Sequence, residues 1–143
     1  MMKDRLWNLP YPQVCVFCER VCRTPICSRC SERIIVVEEP RCKICGKPLD
    51  QSEREGCGDC EAEEKEFECG RSLWIHEGGV SESLYRFKYH YRRVNGRFYA
   101  SQLEQYYGDQ IRQWRIEQII PIPLHWKRRL QRGYNQAEDV ANY

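Results

Sequence analysis

The sequence predicts a small, metal-dominated double zinc ribbon followed by the N-terminal part of an α/β domain with a parallel sheet. The ribbon rests on a cysteine pattern: eight of the ten cysteines fall between Cys15 and Cys60 as four Cys-x-x-Cys pairs with one shared spacer. The α/β part rests on order: beyond residue 70 cysteine is absent, and apolar residues recur as strand, helix, helix, strand, loop, helix. A charge asymmetry separates the two. Residues 1–69 carry a net charge of −3 and residues 70–143 a net charge of +5.

The pairs are Cys15 with Cys18, Cys27 with Cys30, Cys42 with Cys45, and Cys57 with Cys60. Two residues between thiols let the backbone curl into a knuckle that aims both sulfurs at one ion, and two knuckles complete a tetrahedral site of four thiolates. Eight thiolates therefore predict two structural Zn2+ ions with no open coordination position. Sequential pairing is expected, Cys15, Cys18, Cys27 and Cys30 around one ion and Cys42, Cys45, Cys57 and Cys60 around the other, because interleaving would cross the chain over itself. Gly46 is expected to supply a positive φ that turns backbone N–H groups toward sulfur. A disulfide framework suits a secreted domain, but MMKDRLWNLPYPQ lacks the apolar core of a signal peptide. A thioredoxin-like motif needs one such pair opening a helix in a βαβ unit, not four in a Gly- and charge-rich segment. Cys22 and Cys69 are left over and are expected to be small buried or half-exposed thiols.

Residues 3–12 hold Leu6, Trp7 and Leu9 before Pro10 and Pro12, an amphipathic turn suited to plugging a metal domain too small for its own core. Residues 31–37 join the ribbons as a short helix or strand, which periodicity does not decide. The acidic run Glu61 to Glu66 is the expected linker, so the domains are expected at 1–66 and 67–143. No stretch approaches the ~20 apolar residues that span a bilayer; with reduced cysteines required for assembly, the expected compartment is the cytoplasm.

Arg71 to His76 reads as a strand bounded by Gly70 and Gly78-Gly79. Ser81 is the expected N-cap of a helix through Leu84, Phe87, Lys88 and Tyr91, which Asn95-Gly96 ends. On it Tyr85, Tyr89, Tyr91, Arg92 and Arg93 fit either a stacking surface for single-stranded nucleic acid or an ordinary amphipathic helix. A second helix follows through Phe98, Tyr99, Leu103, Tyr106, Tyr107, Ile111 and Trp114, then an apolar run from Ile116 to Pro123 that reads as a buried strand stopped by prolines. A basic loop from Leu124 to Gly133 comes next, and Asn135 with Glu138 forms a capping box for a third helix. Lys127, Arg128, Arg129 and Arg132, with Gly133, Asn135 and Gln136, sit between a strand and a helix, where open α/β sheets bind phosphate or nucleic acid.

The end of this strand, Pro121 to Pro123, followed by Arg-x-x-x-Arg-Gly-Tyr-Asn-Gln from Arg128 to Gln136 and preceded by the cysteine ribbons, resembles the ComF (ComFC-type) competence proteins. Leu6 to Cys18, Cys42 to Leu49 and Leu84 to Lys88 extend the resemblance over nearly the whole chain. It implies a type I phosphoribosyltransferase-like fold, a link to DNA uptake in transformation, and partners that include single-stranded DNA and competence-machinery proteins. It also assigns the pyrophosphate of phosphoribosyl pyrophosphate to Arg129, Arg132 and Gly133. The family's Thr-Thr-Gly loop, which holds the ribose 5-phosphate, does not occur in these 143 residues. The expectation is therefore a C-terminally truncated chain without catalytic residues, whose α/β half needs its missing part or a homodimer to cover its apolar faces. Two alternatives stay open: a phosphoribosyltransferase of nucleotide metabolism with an appended zinc module, and a free-standing zinc-ribbon adaptor.

Overall fold

The structure, a computed structural model, describes residues 12–50 and 54–143; the amphipathic turn expected around Leu6, Trp7 and Leu9 lies outside the described residues. Among the described residues six helices occur in order: α1 (Ser28–Ser31), α2 (Gly58–Ala62), α3 (Gly78–Tyr89), α4 (Asn95–Gln113), α5 (Trp126–Arg132) and α6 (Gln136–Ala141). Among the described residues β structure is limited to three isolated antiparallel bridges, Val14 with Val21, Val36 with Trp74 and Arg41 with Pro48.

The chain forms two compact units, one from Met1–Arg33 with Glu77–Tyr143 and the other from Ile34–His76. Compactness thus divides the chain differently from the expected 1–66 and 67–143. The reason is visible between Cys15 and Cys18. Phe17 is 1 % exposed and meets Phe98 of α4 edge-on at 5.8 Å between ring centroids, while Cβ of Phe17 lies against Gly79 at the start of α3. Phe87 of α3 continues this core, edge-on to Tyr99 at 5.2 Å and to Tyr134 at 5.9 Å, with Val16, Val80 and Tyr107 also buried. The helices find in the first knuckle the apolar cover that the sequence reading sought in a sheet.

The parallel sheet is not formed among the described residues. Residues 116–125 are non-helical but carry no ladder, and Ile119, Ile120 and Ile122 are 67, 77 and 79 % exposed. A strand exists through its neighbour's backbone groups, and no neighbour is paired there. At 71–76 the expected strand shortens to the Val36–Trp74 bridge, flanked by bonds from Val37 N to Leu73 O at 2.9 Å and from Ile75 N to Ile35 O at 3.0 Å. The joining segment is therefore extended at 35–37.

The helix boundaries differ from expectation in three places. α3 begins at Gly78 with Glu77 as N-cap, so Ser81 lies inside it. Its break falls at 90–94, where Tyr91 adopts φ 55°, and Asn95 and Gly96 open α4 instead of ending α3. The basic segment expected as a loop is helical as α5, stopped by Gly133 at φ 74°. The N-cap of α6 is Asn135 as expected, its side chain accepting from Ala137 N at 3.1 Å.

Candidate metal centres

Each unit contains one set of four cysteines, Cys15, Cys18, Cys27 and Cys30 in one and Cys42, Cys45, Cys57 and Cys60 in the other, with all sulfurs of a set within 4.8 Å of one another. The pairing is sequential, as the loop argument requires. The two sets are built by the same backbone plan. Cys15 N donates to Arg20 O and Cys42 N to Lys47 O, both at 2.8 Å; Glu19 N donates to Cys15 O and Gly46 N to Cys42 O, both at 2.9 Å. The third cysteine of each set caps a short helix, Cys27 for α1 and Cys57 for α2. Its backbone N–H donates to the first sulfur at 3.4 Å, Cys27 to Cys15 and Cys57 to Cys42.

The sulfur spacing fits zinc. Four Zn–S bonds of about 2.3 Å in a tetrahedron place the sulfurs about 3.8 Å apart, and the Cys18–Cys27 and Cys45–Cys57 pairs stand at 3.6 Å. Protonation favours the same conclusion. Burial raises the Cys15 thiol, but the N–H groups of Cys27, Cys18 and Phe17 outweigh it and bring the pKa down to about 6. Cys42 is likewise raised by burial yet lowered to about 6 by the N–H groups of Cys45, Cys57 and Ile44. Burial and then neighbouring thiols push Cys30 up, and the same causes push Cys60 up to about 12. One thiolate per set thus forms readily while the last cysteine resists, and a dication bound among them is what allows all four to ionise.

The sets differ in three respects. Cys18 is exposed and Cys27 and Cys30 are half-buried, whereas Cys42, Cys57 and Cys60 are buried. The positive φ of the knuckle falls on Gly46 in one set, at 73°, and on Glu19 in the other, at 59°. A Cβ at Gly46 would stand 2.8 Å from Arg71 Cα and Gly70 O, so glycine is required there. Glu19 accepts the less favourable backbone while its carboxylate pairs with Arg92 Nη2 at 2.6 Å and faces Arg86 Nε at 3.6 Å. Finally, the carbonyls of the first knuckle are tied to α3, Ser83 Oγ donating to Val16 O at 2.7 Å and Arg86 Nη2 to Phe17 O at 2.5 Å, whereas in the second Ile44 O accepts from the backbone of Gly70. Cys22 joins neither set; its thiol donates to Thr24 O at 2.9 Å, and Cys69 is half-buried.

The seven residues expected to meet phosphate or nucleic acid separate. Lys127, Arg128 and Arg129 are exposed on α5, with Lys127 Nζ 5.4 Å from the Trp126 ring. Gly133 forms the left-handed turn after α5. Arg132, Asn135 and Gln136 are buried: Arg132 Nη1 donates to Gln136 Oε1 and Nη2 to Tyr89 OH, both at 2.8 Å, and Asn135 Nδ2 donates to Ile122 O at 3.0 Å. The Arg132 guanidinium also lies 4.6 Å from the Tyr89 ring centroid. Tyr89 and its neighbour Tyr85 are 43 and 57 % exposed, with rings 4.9 Å apart. Arg93 is held by Asp139 at 2.6 and 2.8 Å. Among the described residues no helix is long and apolar enough to cross a membrane.

Comparison with known proteins agrees with the metal geometry. Residues 6–61 match the family model of the double zinc ribbon domain. The chain is 29 % identical over 130 residues to competence protein F of Haemophilus influenzae, covering 87 % of this chain and 56 % of that protein. It is 27 % identical over 126 residues to competence protein ComFC of Bacillus subtilis, covering 81 % of this chain and 50 % of that one. The chain therefore spans about half the length of these curated relatives. No solved structure matches it. The two four-cysteine sites, consistent with structural zinc, fall within the segment that matches the double zinc ribbon domain, and over most of its length the chain is similar to these two competence proteins.

Proposed function

We propose that this chain is the zinc-ribbon and nucleic-acid-contacting portion of a ComF-type protein that acts in DNA uptake, with single-stranded DNA as its ligand and competence-machinery proteins as partners. The observations that carry the reading are the exposed cations Lys127, Arg128 and Arg129 of α5 and the exposed rings of Tyr85 and Tyr89 on α3, two helices that the Arg132–Tyr89 contact links. Cations follow a phosphate backbone and rings stack on unpaired bases, a combination that selects single strands without reading sequence. The zinc ions hold the scaffold and take no part in chemistry.

In a protein of the relatives' length we further propose a phosphoribosyl pyrophosphate pocket to which the α5 segment contributes Arg129 and Gly133. Arg132, assigned to that contact by resemblance, is engaged by Tyr89 and Gln136 here, so the pocket reading gives it a supporting role.

Fluorescence anisotropy with a labelled thymidine oligomer tests the first reading. Binding is expected at low salt and falls steeply as salt rises, since counterion release drives it. Reversing Arg128 and Arg129 to Glu is expected to abolish it, and Tyr85→Ala to weaken it by about 1–3 kcal/mol without changing the salt slope. Binding that survives the charge reversal at high salt places the ligand elsewhere.

A further inference from the structure

We propose that the first four-cysteine site is an oxidant-opened clasp on α3 and α4, in which peroxide joins Cys18 to Cys27 and expels the metal while the second site stays closed. The inference goes beyond nucleic-acid binding and rests on how two sites of one design differ.

Three differences converge on the first site. The one exposed cysteine among the described residues is Cys18, and Cys27, whose sulfur stands 3.6 Å from that of Cys18, is only half-buried. The matching Cys45–Cys57 pair has the same separation, but Cys57 is buried. Second, two ion pairs lie across the second site, Lys47 with Asp59 at 3.0 Å and Lys43 with Glu55. The residues in matching positions of the first site are Arg20 with Arg29 and Val16 with Pro25. An ion pair is thus replaced by two exposed arginines, which cannot pair and close nothing across the first site. Third, Val16 and Phe17 lie between the first two ligands, and their carbonyls and the Phe17 ring are what α3 and α4 grip. The second knuckle carries Lys43 and Ile44 there, Lys43 exposed and Ile44 half-buried.

The chemistry balances with hydrogen peroxide as oxidant. The Cys18 thiolate attacks one peroxide oxygen, the O–O bond breaks, hydroxide leaves, and Cys18 becomes a sulfenic acid. The Cys27 thiolate then attacks that sulfur, the S–O bond breaks, and a second hydroxide leaves as the disulfide forms. The two thiolates lose two electrons in total, and the peroxide gains them. With two of four ligands gone, the site no longer holds zinc, and the backbone that seats Phe17 is free to shift.

The test uses the full chain loaded with zinc. Peroxide is added with a chromophoric chelator to follow metal release, disulfides are mapped by mass spectrometry, and amide exchange is read across residues 78–113. The expected result is release of one zinc roughly tenfold faster than the other, reflecting the exposure difference. A Cys18–Cys27 disulfide and faster exchange in α3 accompany that first release, and a dithiol with added zinc reverses both. Arg29→Asp, which recreates across the first site the ion pair of the second, is expected to slow the first release severalfold without touching a ligand. Equal rates at the two sites, a different disulfide, or first-site release with α3 still protected overturns the proposal. A protein that purifies without zinc overturns the metal reading beneath it.

Discussion

Ser83 Oγ, fully buried on α3, donates to the carbonyl of Val16 at 2.7 Å and receives the hydroxyl proton of Tyr99 at 2.7 Å. One hydroxyl thus joins a metal knuckle, α3 and α4, and without it the Val16 carbonyl and the Tyr99 hydroxyl each lose a buried hydrogen bond. Ser83→Ala is expected to destabilise the first unit by about 1–3 kcal/mol, the cost of removing a hydrogen bond from a buried carbonyl. Urea unfolding followed by circular dichroism measures it; a change below half a kcal/mol would show that the hydroxyl merely fills space.

Metal removal should act unequally on the two units. Cys42→Ser is expected to leave one zinc per chain and to loosen only residues 34–76, while Cys15→Ser is expected to lose the other zinc and also speed amide exchange in α3 and α4. Elemental analysis with hydrogen exchange distinguishes the two variants. If Cys42→Ser releases both ions, the sites are coupled and the unit-by-unit account fails.

Zinc affinity should fall as pH falls. Zinc binds thiolates, and in the metal-free protein at pH 7 Cys15 and Cys42 are ionised while Cys30 and Cys60 are protonated. Binding therefore releases protons, and more of them below about 6, where Cys15 and Cys42 also hold theirs. Chelator competition from pH 5 to 8 is expected to show a slope that steepens at the acid end. A constant slope would contradict the thiolate assignment.

The two knuckles should respond in opposite ways to the same backbone question. Gly46→Ala puts a Cβ on backbone atoms at a positive φ and is expected to cost about 1–3 kcal/mol and weaken zinc at the second site. Glu19→Gly relieves the backbone but removes the pairing with Arg92 and Arg86, half-exposed interactions worth only about 0–1 kcal/mol, so the net change is expected to be small. A Gly46→Ala protein with unchanged zinc affinity would refute the close packing against Gly70 and Arg71.

The metal sites were legible because ligand spacing is a local property: Cys-x-x-Cys forms its knuckle whatever surrounds it. α4 and the Asn135 cap were legible for the same reason, through a 3.6-residue period and a side chain that bonds its own helix. The sheet was not. Whether Ile119, Ile120 and Ile122 form a strand depends on backbone partners distant in sequence, and apolar character alone does not supply them. The coupling of the first knuckle to the helices was missed although two signs of it stood in the sequence. Val16-Phe17 is apolar where the second knuckle has Lys43-Ile44, and Glu19 occupies the place of Gly46. Comparing the ribbons position by position would have singled out the first as the one with something to bury and an acid to pair.

Because the first unit takes its two segments from either side of Ile34–His76, its assembly is also an order of events on the ribosome. Phe17 emerges early, yet Phe98, on which its ring rests, follows about 80 residues later, a delay of roughly 4–16 s at typical synthesis rates. During that interval Ile34–His76 emerges in full and is free to take up its metal. A nascent first knuckle holding zinc keeps the Phe17 ring without its Phe98 neighbour until α4 arrives, so the first unit closes its core only after the second has emerged.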